Sequence, residues 1–240
     1  MKYLSAVFLV FLTCHQYIGQ KYFQERYRKF DKQIFHFGFM LGGNTSNFSL
    51  FSQDSNFQNY GIKSLVAKST PGGQLGILTS IKIGTPMFKF RFLPTLSFQE
   101  RVLQYTKINP DPSKTFDIVE EERVNSTSLD FPMMFMFRTK RLNNFVAYSL
   151  IGSQYSIDLQ SQEGKAQSFI DPYIKIKKQD WQGQIGGGIE FFAHYFKFAI
   201  ELKYSHGFSS AFIFEPTNTV SQPIQRLYNK GWWFSIIFEG

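Results

Sequence analysis

The chain carries one cysteine, Cys14, and it lies in the first twenty residues. Everything after it is therefore without a disulfide framework and without thiol chemistry. No run approaches the roughly 20 apolar residues that a membrane-crossing helix needs. Histidine is scarce, with four in the chain. No His, Cys or carboxylate cluster has the spacing of a metal site. The net charge of +8 is moderate, and its Lys and Arg are scattered singly between Phe and Ile. A nucleic-acid-binding surface would gather them on one face. No nucleic-acid partner, cofactor or small-molecule substrate is expected.

What the chain has is aromatic side chains. Its 240 residues include 29 Phe, and aromatics make up 18%, far above ordinary soluble domains. Yet the mean hydropathy is slightly negative, at −0.21. Both facts fit strands in which apolar and polar residues alternate, as in transmembrane barrels. The stretch 196–204 shows this alternation best. Phe196, Phe198, Ile200, Leu202 and Tyr204 interleave with Lys197, Ala199, Glu201 and Lys203. Successive strand side chains point to opposite faces, so one face is apolar and the other charged.

Residues 1–20 read as a secretory signal peptide: Lys2, an apolar core from Leu4 to Leu12, then a short polar region. Cleavage is expected near Gly19 or Gln20. A lipoprotein signal ending at Cys14 is the alternative, on a poor version of that motif. Residues 21–33 follow as a charged, aromatic arm expected in the periplasm, and residues 34–240 carry the strands.

The alternation predicts eight strands. The first starts near Ile34, with Phe35, Phe37, Phe39 and Leu41 on one face, and a bend or bulge at 43–47. The second covers 73–83. The third begins at Phe88 and keeps its parity past Pro94, where a bulge is expected because proline cannot donate to the ladder. The fourth sets Leu129, Phe131, Met133, Phe135 and Phe137 against Asp130, Pro132, Met134, Met136 and Arg138. The fifth, 145–159, has two faces about equally apolar. The sixth sets Trp181, Ile185, Ile189 and Phe191 against Gln182, Gln184 and Glu190. The seventh is 196–204. The eighth sets Trp232, Phe234, Ile236 and Phe238 against Trp233, Ser235, Ile237 and Glu239.

The connections alternate long and short, with long ones at 52–71, 106–122, 160–178 and 209–229. Even strand number with short turns at one end and long loops at the other marks outer-membrane barrels. An eight-stranded bore is only wide enough to be filled by side chains. It has no room for so many Phe rings, so they belong in lipid. The fold class is an all-β, eight-stranded antiparallel up-and-down transmembrane barrel of the outer membrane, with both termini periplasmic.

The inward charges Lys89, Arg91, Arg101, Asp130, Arg138, Glu190, Lys197 and Glu201, with Lys82 and Lys203, are expected to pair across the lumen as a polar plug. Trp181, Trp232, Tyr195 and Phe196 are expected in the aromatic girdles. Gly186, Gly187 and Gly188 precede more strand and no helix, so they are expected to make room inside the barrel or permit curvature and not to cradle a phosphate. His206 has Ser205, Ser209 and Ser210 close in sequence, and His36 stands apart. No motif orders them as nucleophile, base and orienter. The chain is not expected to be an enzyme.

Several segments resemble the PorT family of Bacteroidota outer-membrane proteins. They are His36-Phe37-Gly38-Phe39, the run Phe98-Gln99-Glu100-Arg101-Val102, the turn Lys140-Arg141-Leu142-Asn143-Asn144, and Tyr195-Phe196-Lys197-Phe198. The resemblance implies a non-enzymatic accessory barrel of the type IX secretion and gliding machinery. Its partners would be outer-membrane lipid and other secretion components. The turn residues Lys140, Arg141, Asn143 and Asn144 and the arm are expected to face periplasmic partners. Two other classes remain open: a small barrel for ligand binding or envelope attachment, and a lipid-modifying barrel enzyme that needs His206 or His36.

Overall fold

The computed structural model describes residues 26, 30–52, 57, 61–109, 116–164, 174–216 and 221–240. The expected signal peptide and most of the arm lie outside them. A short 3-10 turn, Phe30–Lys32, precedes eleven strands. These are β1 (Phe35–Ser52), β2 (Ile62–Lys82), β3 (Phe88–Phe92), β4 (Thr95–Lys107), β5 (Ile118–Arg138), β6 (Phe145–Asp158), β7 (Lys175–Ile176), β8 (Gln179–Phe192), β9 (Lys197–Gly207), β10 (Phe212–Ile213) and β11 (Ile224–Glu239). Strands β3 and β4 are two halves of one wall strand. The remaining wall strands are β1, β2, β5, β6, β8, β9 and β11, each antiparallel to its neighbours, and β1 pairs with both β2 and β11 to close the ring. The wall is an eight-stranded hydrogen-bonded barrel. The small strands β7 and β10 pair with each other across the long-loop end.

Side-chain alternation builds the wall as the sequence predicts. Phe35, Phe37, Phe39 and Leu41 of β1 face outward and are more than half exposed, while His36 and Met40 face in and are buried. Phe39 stacks on Phe238 and Phe191 on Phe198 across neighbouring strands. Such cross-strand aromatic pairs contribute about 0.2–1 kcal/mol each. The unclear fifth strand, β6, resolves with Val146, Tyr148, Leu150, Gln154, Ser156 and Asp158 inward.

Three expectations are corrected. No bulge occurs at Pro94: Phe92 faces Thr79 and Thr95 faces Gly76, so no residue is inserted there. The irregularities lie on the neighbouring β2, between Ile62 and Ser64 and between Ser69 and Gly73. Residues 43–47 do not bend β1, which pairs in unbroken register from Gly38 to Phe51. The first, second and fourth long connections are also shorter than read, because β2 starts at Ile62, β5 at Ile118 and β11 at Ile224.

The reason for the last correction is an inversion of polarity along the barrel. Near the short turns, apolar residues face out and polar ones face in. Toward the long loops the pattern reverses. Lys63, Lys68, Arg123 and Glu121 face outward there. Leu65, Leu103, Tyr105, Val124, Ile224 and Leu227 face inward, packed with Phe48, Ile174 and Ile176 of β7, and Phe212 of β10. The upper barrel is thus a small water-facing unit with its own apolar core.

Candidate functional site: a sealed bore and its two rims

Strands β3, β5, β8, β9 and β11 each send charged residues into the bore, because their inward parity places Lys89 and Arg91, Arg138, Glu190, Lys197, Glu201, Lys203 and Glu239 there. Burying one such charge alone costs several kcal/mol (about 3–5 when a buried pair is broken), so the pairs must be complete. They form one string. Lys203 meets Glu201 at 3.1 Å, and Arg91 donates to Glu201 at 2.5 Å and to Glu239 at 3.1 Å. Lys197 meets Glu239 at 2.8 Å and donates to Glu190 at 2.5 Å. Arg138 donates to Glu190 through both Nε and Nη2, at 2.8 and 2.6 Å. The Tyr148 hydroxyl adds a bond to Glu201 at 2.8 Å. Met40, Leu78, Leu93, Met134, Met136, Leu150 and Ile237 pack beside the string in the bore, with the Met136 sulfur 3.9 Å from Arg91.

Beneath the string the chain corks its own barrel. Phe30 is fully buried, stacks on His36 and meets Phe192 edge-on. The ammonium groups of Lys89 and Lys197 each sit 4.5 Å from the Phe30 ring centre. The ring's negative face attracts a cation, so the cork supplies Lys89 with a partner that no carboxylate provides. Asp31, next in sequence, continues the ion string outward: it meets Arg138 at 3.6 Å and accepts from Arg141 at 3.1 Å. Arg141 lies flat over Phe192, 3.8 Å from its centre, and also binds the backbone oxygens of Asn143 and Arg26. Asn144 accepts from the Arg26 backbone N–H at 2.9 Å.

Above the string, hydroxyls and amides take over. Ser97 donates to Asp130 at 2.6 Å, Ser126 to Asp158 at 2.6 Å, and Asn229 to Asp180 at 2.7 Å. Arg101 donates to Gln99 at 2.5 Å and lies 5.3 Å from the Phe48 ring. The cavity in this layer is about 20 Å³, room for about one water molecule. The apolar cap closes the long-loop end above it. Burial pushes the Tyr105 hydroxyl in the cap well above its usual range, with Glu122 adding to the shift. Among the described residues, buried side chains occupy the bore at the cork, the ion string, the hydroxyl and amide layer and the apolar cap.

The sequence-predicted lumen residues Lys89, Arg91, Arg101, Asp130, Arg138, Glu190, Lys197 and Glu201 are all buried inside the ring. Lys82 instead reaches the rim, where it bonds the backbone oxygens of Asp31 and Lys32. Sequence reading left Glu239, Asp158 and Asp180 out of the charged set; the inward parity of Glu239 and Asp180 was available, but that of Asp158 was not, because the two faces of its strand are about equally apolar. Of the turn residues, Lys140 is exposed, Asn143 adopts a left-handed φ of 54°, and Arg141 and Asn144 hold the arm. His36 lies under Phe30 with neither ring nitrogen hydrogen-bonded. His206 faces outward, and its near hydroxyl is Ser49 of β1 at 3.4 Å. Ser205 points the other way and accepts from Trp233 inside. Strand alternation explains this: sequence neighbours on a strand face opposite ways.

An antiparallel ring of eight strands, apolar outside and charged within a filled bore, is the architecture of an outer-membrane β-barrel. Residues 20–212 match the family model described as outer membrane protein beta-barrel domain, and the chain belongs to that family. The structure is similar to the outer membrane protein OprG from Pseudomonas aeruginosa, at 14% identity and a TM-score of 0.46, covering 86% of this chain and 93% of that one. It is also similar to Neisserial surface protein A, at 8% identity and a TM-score of 0.37, covering 84% and 95% of the two chains. No curated protein matches the sequence.

Proposed function

We propose that this barrel is a non-enzymatic component of the type IX secretion machinery, acting at its rims and not as a conduit. The observation that carries the rim assignment is the continuous packing of the bore, from the Phe30 cork through the ion string to the apolar cap. A sealed barrel offers cargo no path, so its contribution is a docking surface. The secretion assignment itself rests on the resemblance to the PorT family. We take the termini and the three short turns to face the periplasm. Residues 1–20 would then be the signal that exports the chain. The rim there combines Lys140, the arm around Asp31, and a groove of about 340 Å³ lined by Pro86, Met87, Thr139 and Val146.

Deleting the gene should abolish surface delivery of secreted proteins. A strain carrying Lys140→Glu should keep a folded, heat-modifiable barrel and lose most export. Export unchanged by deletion would overturn the secretion reading. Orientation is tested with an impermeant thiol reagent on whole cells. Lys63→Cys should label, and Tyr195→Cys should not.

A further inference from the structure

Above the apolar band the outer wall has two unlike halves. On β2, β4 and β5 every outward cation has a carboxylate. Lys63 meets Asp117 at 2.7 Å, Lys68 meets Glu121 at 2.8 Å, and Arg123 meets Glu100 at 3.1 Å and Glu121 at 3.3 Å. On β9, β11 and β1 none does among the described residues. The outward positions of β11 are Arg226, Tyr228, Lys230 and Trp232. Lys230 stands between His206 of β9 and Asn47 of β1, and Arg226 stands opposite Phe51. The carboxylates of these three strands, Glu201 and Glu239, both point into the bore.

The same half carries a ladder of rings. Trp232 and Tyr204 lie 5.0 Å apart, Tyr204 and His206 6.5 Å, His206 and Tyr228 5.9 Å, and Tyr228 and Phe51 5.7 Å. The ladder begins at Trp232, where the lipid-facing row of Phe238, Ile236 and Phe234 ends. These side chains project sideways, so whatever they bind must lie in the plane of the membrane. The two cations call for an anion, and the outward rings, Trp232 and Phe51 exposed and Tyr204, His206 and Tyr228 half-buried, offer faces to sugar rings.

We propose that the outer wall of β9, β11 and β1 binds the phosphorylated sugar headgroup of an outer-leaflet glycolipid. Arg226 and Lys230 take the phosphate, and Tyr204, Tyr228 and Trp232 pack on the sugars. The leaflet follows from the orientation proposed above, but binding by purified protein does not depend on it. Inaccessibility of Lys63→Cys would change the leaflet, and only the binding result bears on the strip.

The full mature chain in detergent is titrated with diphosphoryl lipid A and read by native mass spectrometry. Lipid A stripped of phosphate, phosphatidylglycerol and inorganic phosphate are the comparison probes. Binding of diphosphoryl lipid A should weaken about tenfold or more in R226Q/K230Q and stay unchanged in K68Q/R123Q, since each cation near a charged lipid surface contributes a similar share. Tyr228→Ser, which keeps both cations, should weaken it several-fold. Phosphate-free lipid A should bind poorly, and inorganic phosphate should not compete. No binding by the wild type, equal binding by R226Q/K230Q, or preference for phosphatidylglycerol would each overturn the proposal.

Discussion

Phe30 lies flat against His36, with ring centroids 3.8 Å apart and planes 17° from parallel. A residue before the first strand is thereby locked to the first inward side chain of β1. The contact makes residues 30–32 part of the barrel. Phe30→Ala removes a fully buried ring, and such truncations cost about 3–5 kcal/mol. We expect a lower urea midpoint for the refolded barrel, and ion conductance in planar bilayers where the wild type has little. A variant as stable and as tight as the wild type would remove the cork from the account.

Glu190 takes three bonds from two cations, Arg138 and Lys197, in a fully buried position. Glu190→Gln leaves those cations short of a counter-charge, at a cost of about 3–5 kcal/mol. Glu100→Gln cuts one exposed pair with Arg123 and should cost under about 1 kcal/mol. Urea denaturation of both variants in the same detergent compares them directly.

Gly188 is where the wall makes room for Tyr148. A Cβ on Gly188 would lie 2.6 Å from the Tyr148 hydroxyl and 2.4 Å from the backbone oxygen of Ile200. Gly188→Ala should push Tyr148 off Glu201 and cost about 1–3 kcal/mol through overpacking. A Cβ at Gly73 would touch nothing within 4 Å. Gly73→Ala should therefore unfold at nearly the wild-type urea concentration.

The three tryptophans separate inside from outside. Trp181 and Trp232 are about half exposed, at 47% and 53%, and each packs on a tyrosine of the next strand. Trp233 is buried and donates to Ser205. Brominated lipids should quench Trp181 and Trp232 and leave Trp233 bright. Strong quenching of the W181F/W232F variant would place the inward face in lipid.

Outside the bilayer, pH should act on the exposed ion pairs of β2 and β5. The hydrogen bond and charge of Lys68 hold the exposed Glu121 carboxyl below the ordinary glutamate value. Its small stabilising share is present above the unfolded-state pKa and is lost as pH falls through the lowered one. Carbon NMR should find that low midpoint, and Lys68→Gln or molar salt should raise it.

The eight wall strands were legible because alternation needs only the identity of neighbours. Phe35 to Leu41 and Trp232 to Phe238 carry their faces on their surface. The ends of β2 and β5 were hidden because the outward rule reverses there. Lys63, Lys68, Glu121 and Arg123 read as loop when apolar is taken as outside. The fifth strand was ambiguous for a related reason. Its inward face holds Val146, Tyr148 and Leu150, which pack on other apolar lumen residues, and alternation cannot tell that filling from lipid-facing residues. The links of Arg91 to Glu201 and Glu239, of Arg138 to Glu190 and of Arg141 to Asp31 join residues far apart in sequence. No spacing rule could supply them.

The reversal of polarity along the wall also fixes how deep the barrel sits. A uniform cylinder of Phe and Ile could ride up or down in the bilayer with little penalty. Moving this one by two residues per strand shifts it about 7 Å along the strand direction. In one direction Lys68, Arg123 and their carboxylates press against acyl chains; in the other, the Phe88 and Ile83 level leaves them. The chain is thus held at one depth, and both rims stay at a constant height for whatever meets them.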